Sequence, residues 1–285
     1  MLMIGIILKQ VKFFFQACFC LLVLTCSGCS NLRDAGDYWV DESHVALGQE
    51  SRVQFLVFHY TAENDENSLR ILSGNNVSVH YLINHQPEQM SGRPVVLQLV
   101  PEAQRAWHAG ASFWRGRNNL NDTSIGVEIV NAGYHKVGNK RSWEPYNERQ
   151  IDLLIALSWD IIQRHHIDPA NVVGHSDIAP QRKIDPGPLF PWDRLAQVGI
   201  GAWPDVGRVQ YYQRLREAET SIDIAELQAN LKKYGYKVPE TGQLDDETRR
   251  VIKAFQMHFR QDKYSGHPDA ETLAILDALL EKYRR

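Results

Sequence analysis

All four cysteines of this chain, Cys18, Cys20, Cys26 and Cys29, fall within its first 29 residues, and none occurs from residue 30 to residue 285. The folded part therefore carries no internal disulfide and no thiolate-held metal; any metal there must rest on histidine and carboxylate. A chain of 285 residues that is 44% hydrophobic and 23% charged has ordinary globular usage, which excludes wholesale disorder and collagen-like architecture. Its length suits one large or two modest domains. A net charge of −3, with no basic run, argues against a nucleic-acid partner.

The N-terminal segment holds Lys9 and Lys12, then an apolar run over 13–24, then Thr25-Cys26-Ser27-Gly28-Cys29. The run is too short for a membrane span and follows positive charge, so 1–28 reads as a signal peptide. The final residues resemble the lipobox of bacterial lipoproteins, with Cys26 standing where leucine is usual. That resemblance implies lipid on Cys29 and a membrane anchor without a spanning helix. Ser30 in second place implies the outer membrane, with the protein facing the periplasm. Removal of 1–28 takes two lysines and no acid, so the charge shifts from −3 to −5.

All seven tryptophans precede residue 204. This shift, with Pro204 and a polar stretch after it, predicts a tether or surface arm over 29–49, a domain over 50–203, a linker over 204–221 and a small domain over 222–285. In the larger part, β-branched and aromatic runs predict strands over 53–60, 94–100, 124–130 and 171–174. Helical spacing predicts a helix over 147–166. Strands mixed with helices imply an α/β sheet protein whose functional residues lie at strand ends. Amphipathic segments over 224–234, 245–259 and 269–283, capped by Asp245 and Asp269, predict an all-α three-helix tail.

The strongest local feature is Gly174-His175-Ser176-Asp177-Ile178-Ala179-Pro180-Gln181-Arg182-Lys183-Ile184-Asp185-Pro186-Gly187. A histidine leaves a strand end, and a proline-braced loop presents Lys183 and Asp185. His59 ends the buried strand 53–60, and neighbouring strand ends can bring the two histidines together. Two imidazoles and one carboxylate make a catalytic zinc set with a fourth position for water, whose pKa falls toward about 7. Glu128 is an acid inside an otherwise apolar strand, and burial of an unpaired carboxylate raises its pKa, which suits a general base. Lys183 can stand near a tetrahedral oxyanion.

Phe58-His59-Tyr60-Thr61-Ala62, His80-Tyr81-Leu82-Ile83, Ala106-Trp107-His108-Ala109-Gly110, Ser124-Ile125-Gly126-Val127-Glu128 and the 175–187 stretch occur in that order. Over about residues 50–200 they resemble the type 2 N-acetylmuramoyl-L-alanine amidases, the AmpD group, related in fold to the peptidoglycan recognition proteins. The resemblance implies a mixed central sheet flanked by helices. It implies Zn²⁺ on His59, His175 and Asp185, with Glu128 and Lys183 catalytic. The implied substrates are peptidoglycan and muropeptides, cut between the muramic acid lactyl group and L-alanine. His80 and His108 are candidates to touch sugar or stem peptide, with core or supporting roles as the alternative; Trp107 is a candidate saccharide platform, with packing as the alternative. The tail motifs Leu227-Gln228, Tyr234-Gly235-Tyr236, Thr241-Gly242-Gln243-Leu244-Asp245 and Ala254-Phe255-Gln256 are similar to the three-helix peptidoglycan-binding module. The chain departs from the family over 85–93, where a tight Asp-Gly hairpin is expected. Two other readings stand beside the amidase: a non-catalytic wall-binding or sensing lipoprotein, and a zinc peptidase cutting within the stem. Binding relatives lack part of the metal set, which is complete here. No protein partner is indicated.

Overall fold

The computed structural model describes residues 31–138 and 140–284; the expected signal segment and Cys29 lie outside them. The chain divides into two units, one ending at Glu50 and one beginning at Ser51. In the first, β1 (Leu32–Asp34) pairs antiparallel with β2 (Trp39–Asp41), and Arg33 Nε donates to Glu42 Oε1 at 2.7 Å. The stretch expected as a tether or arm thus contains a small exposed hairpin. Among the described residues no helix is long and apolar enough to cross a membrane.

The second unit begins with β3 (Phe55–Tyr60), α1 (Asp65–Leu72) and β4 (Tyr81–Ile83). Next come β5 (Gln89–Met90), β6 (Arg93–Pro94) and β7 (Leu97–Gln98). A second small hairpin, β8 (Phe113–Trp114) and β9 (Arg117–Asn118), precedes β10 (Ser124–Ile129). Then follow β11 (Tyr134–Val137), β12 (Lys140–Trp143), α2 (Glu148–His165), β13 (Val172–Gly174), α3 (His175–Ile178) and α4 (Trp192–Gln197). The C-terminal part holds α5 (Val206–Glu217), α6 (Ile224–Tyr234), α7 (Asp246–Phe259) and α8 (Ala270–Tyr283).

Five strands form the central sheet in the order β13-β3-β10-β4-β7, the first four parallel and β7 antiparallel to β4. The sheet is mixed, as the resemblance implies. Strands β3 and β10 are apolar on both sides because both faces are covered. Leu56, Phe58 and Val127 pack with Ile151, Leu154 and Ile161 of α2, while Phe55, Val57 and Val173 join a core with Tyr236 and Phe255 of the tail. Helix α2 starts at a capping box, in which Asn147 Oδ1 accepts from Arg149 N at 2.9 Å and Gln150 Oε1 accepts from Asn147 N at 3.2 Å.

Three expectations need correction. The strand expected over 94–100 is broken: β6 belongs to a hairpin with β5, and only β7 joins the sheet. Pro94 has no N–H to give a ladder. The tight turn expected there exists, but Ser91 and Gly92 make it, both at positive φ. The linker expected over 204–221 is largely helix α5, which lies along α8. It buries no residue completely and is tied by charge instead, with Arg208 on Glu281 at 2.6 Å and Arg216 on Asp277 at 2.8 Å. A helix held this way leaves no apolar stripe in the sequence. The tail's three expected helices are present, with Asp245 and Asp269 accepting from Thr248 N and Thr272 N.

Candidate active site

The sheet register builds the site. Glu128 on β10 stands directly beside His59 on β3, and Gly174 of β13 pairs with Phe58, so the next residue, His175, comes level with His59. Three functional side chains therefore meet at the carboxyl ends of three parallel strands, where open α/β sheets place their ligands. The loop after α3 returns Asp185 to the same point, and Asp185 O accepts from Ser176 N at 2.8 Å.

His59 Nδ1, His175 Nδ1 and Asp185 Oδ2 form a small triangle with sides of 2.9, 3.0 and 3.2 Å. All three residues are buried and make a group that could hold a metal ion. The hydrogen bonds behind them fix which atoms face inward. Ser124 Oγ donates to Leu120 O at 2.7 Å, so it accepts from His108 Nε2 at 3.0 Å. His108 Nδ1 is then an acceptor, and His59 Nε2–H donates to it at 2.9 Å. The lone pair of His59 Nδ1 is left pointing at the triangle. His175 Nε2 lies 3.2 Å from Ala109 O. Both hydrogens of the neighbouring Arg182 Nη2 go to Ala109 O and Ala111 O, which leaves His175 Nε2 to donate and Nδ1 free. Two lone pairs and a carboxylate oxygen this close repel one another unless a cation lies between them. Burial, then His175, pushes His59 down to about 4, so it is neutral near pH 7. Burial works against ionisation of Asp185, but His175 and His59 hold its carboxyl far below the usual range. Such a set suits an ion bound about 2.0–2.2 Å from nitrogen and oxygen.

Glu128 reaches the same place from β10. Part of its side chain remains open to solvent, yet Oε2 is buried without a hydrogen-bond partner. Burial, and then the charge of Asp185, raises its carboxyl to about 8, partly offset by Lys183. Lys183 is half-buried and its charge bears on both Glu128 and His59. A poised carboxyl beside a cation-binding triangle and an ammonium can move a proton next to a polarised carbonyl.

The three candidate substrate contacts separate. His80 is 1% exposed; its Nδ1 accepts from Gly126 N and its Nε2 donates to Gln104 O, so it is part of the frame. His108 is buried as well and holds His59, with burial keeping it neutral. Neither ring has a nitrogen to spare for substrate. Trp107 is 49% exposed, with Arg105 over one face of its ring at 4.1 Å. Residues that sequence reasoning passed over are Ser124, which anchors the relay, and Gly126. A Cβ on Gly126 would lie 2.5 Å from Cγ of His108. A glycine inside an apolar strand was the available signal for such a close approach.

Residues 49–188 match the N-acetylmuramoyl-L-alanine amidase family, and residues 220–276 match a peptidoglycan binding domain. The chain is 49% identical to the N-acetylmuramoyl-L-alanine amidase AmiD of Escherichia coli, covering 95% of this chain and 98% of that one. The chain belongs to the N-acetylmuramoyl-L-alanine amidase family. It is an enzyme of that family, a hydrolase. Its structure is similar to AmiD of E. coli in complex with anhydro-N-acetylmuramic acid-L-Ala-D-γ-Glu-L-Lys (TM-score 0.84, 50% identity, covering 89% of this chain and 98% of that one). It is also similar to AmpDh3 of Pseudomonas aeruginosa (TM-score 0.78, 41% identity, 89% and 99%).

The relay behind His59 makes one expectation specific to this amidase. A His108→Phe variant keeps a flat aromatic ring, somewhat larger than imidazole, but removes the acceptor for His59 Nε2. Metal affinity should fall about 10–100-fold, as it does when such orienting partners are lost. Competition with a chelator of known affinity measures it, and unchanged affinity would dismiss the relay as a positioning device.

Proposed function

We propose that this chain is a zinc-dependent amidase that cuts the amide between the lactyl group of muramic acid and L-alanine in peptidoglycan or its muropeptides. The observation that carries the reading is the convergence of two imidazole lone pairs and a carboxylate oxygen beside the partnerless Glu128. His59, His175 and Asp185 would hold the ion. Zinc bound there supplies polarisation of the scissile carbonyl and a water of lowered pKa. Glu128 takes the proton of the attacking water and returns one to the leaving amine of L-alanine. Lys183 stabilises the oxygen that gains negative charge. Trp107, still exposed, offers an apolar face to sugar.

Digestion of purified muropeptides followed by mass analysis tests the reaction. Free stem peptides and peptide-free sugar are expected, and a chelator should stop their release. Intact muropeptides after incubation with the zinc-loaded protein, or products cut within the stem, would overturn it.

We also propose a lipid on Cys29 as the anchor to the outer membrane, on the strength of Thr25-Cys26-Ser27-Gly28-Cys29. Sedimentation with the outer-membrane fraction, and its loss in Cys29→Ala, is the expected outcome; a variant that still sediments there would refute the anchor.

A further inference from the structure

Five cations gather where the amidase fold meets the C-terminal helices. Arg141 lies on β12, Arg182 and Lys183 lie on the loop after α3, and Arg250 and Lys253 lie three apart on α7, hence on one side of that helix. They line a cleft of about 300 Å³. Through Arg141 and Lys253 the cleft continues into one of about 680 Å³, which Lys136 and Lys140 also line. Among the described residues, none that lines either space is acidic. Among the described residues, Arg141, Lys183, Arg250 and Lys253 take part in no ion pair.

Other arginines of this net-acidic chain that pack against its helices do meet acids: Arg194 meets Glu148 and Asp152, and Arg216 meets Asp277 and Glu226. Leaving like charges crowded in a cleft is unfavourable, and Lys253 is pushed down by burial and by Arg141. The arrangement is held in place: Gln181 of the loop donates to Glu247 O at 3.0 Å and accepts from Arg250 Nη1 at 3.2 Å. An anion entering this cleft meets a pre-formed field with no internal competitor.

Lys183 lines this cleft and its charge bears on His59 and Glu128, so the cleft adjoins the metal triangle. The chemistry of the stem fits it. A γ-linked D-glutamate keeps its α-carboxylate free, and the last residue of the stem carries another. We propose that the cleft is an anion subsite for these stem-peptide carboxylates, and that Arg141, with Arg250 and Lys253 of the C-terminal helices, sets a preference for acidic stems. This rests on the amidase reading above. It makes the C-terminal region part of the substrate cleft as well as a grip on polymer.

The test compares two substrates, anhydro-N-acetylmuramic acid-L-Ala-D-γ-Glu-L-Lys and the same compound with both carboxylates converted to primary amides. The full-length protein should prefer the acid form in kcat/KM by about tenfold at low salt, a margin that narrows as salt is raised. In Arg250→Gln/Lys253→Gln the KM for the acid form should rise roughly five- to tenfold and the preference should fall toward one. Arg141→Gln, from a different element, should move the preference in the same direction. No preference in the unmodified protein, or a preference that survives both variants, overturns the proposal. Calorimetric binding of the free peptide L-Ala-D-γ-Glu-L-Lys needs no turnover and separates the two readings. If neither substrate is cleaved the amidase reading fails, while the subsite stands only if the peptide binds and the variants weaken that binding about tenfold.

Discussion

Replacing Glu128 with glutamine is expected to lower the rate of stem-peptide release by about 10²- to 10⁴-fold while leaving stoichiometric metal in place. The side chain keeps its shape and loses only the capacity to take a proton, and it is no part of the triangle formed by His59, His175 and Asp185. Metal analysis beside the muropeptide assay reads both halves, and retained turnover would remove Glu128 from its role. The same change should stabilise the metal-free protein in a pH-dependent way. In the fold the carboxyl titrates at about 8 rather than 4.5. A group whose pKa is raised by folding costs nothing while protonated in both states, and its cost grows as pH rises from 4.5 to about 8. Glu128→Gln should therefore match the parent near pH 4 and exceed it by about 2 kcal/mol near pH 9, a figure discounted for the part of the side chain that solvent reaches. Urea melts in chelator at the two pH values measure the difference. Equal stabilities at both would show that the carboxyl is not desolvated.

Asp185→Asn is expected to cost the protein its metal altogether as purified, and its activity with it. The carboxylate is the one acidic member of the triangle, and without it two imidazoles face each other at 2.9 Å. Loss of a direct ligand should exceed the roughly 10–100-fold that an orienting partner is worth. The backbone contact from Ser176 N to Asp185 O does not depend on the side chain, so the loop itself should keep its course. Full metal content with parental resistance to chelators would sink the assignment of Asp185 as a ligand.

Much of the candidate site was readable because three of its residues sit where sequence speaks clearly. His59 ends a run of buried residues, His175 follows a short strand, and Glu128 is an acid where only apolar residues belong. The sheet then aligns them by register alone. What escaped reading depends on contacts made across the fold. His108 and His80 carry no mark that separates a substrate contact from a structural one; only the partners of their ring nitrogens decide, and those come from Ser124, Gly126 and Gln104. Helix α5 escaped because ion pairs to α8 hold it, and such pairs leave no hydrophobic period. The basic cleft escaped because its cations come from three separate stretches of chain.

Asp177, two residues after His175, is nearly inaccessible and accepts from Gly174 N at 2.8 Å, from Tyr236 Oη at 2.5 Å and from His258 Nδ1 at 2.8 Å. His258 is in turn clasped between Trp192 and Phe259, with ring centroids 3.7 and 3.9 Å away. The C-terminal helices thus bolt onto the very turn that presents His175 to the candidate metal triangle. A module on a flexible tether searches a volume set by its linker, and its benefit falls as the linker lengthens. Here there is no slack to search with. Under the proposed function, a strand of polymer gripped by those helices would be held at one fixed offset from the bond to be cut, like stock clamped against the stop of a saw, so that the spacing of attachment along the wall, rather than tether length, would govern which stems come within reach.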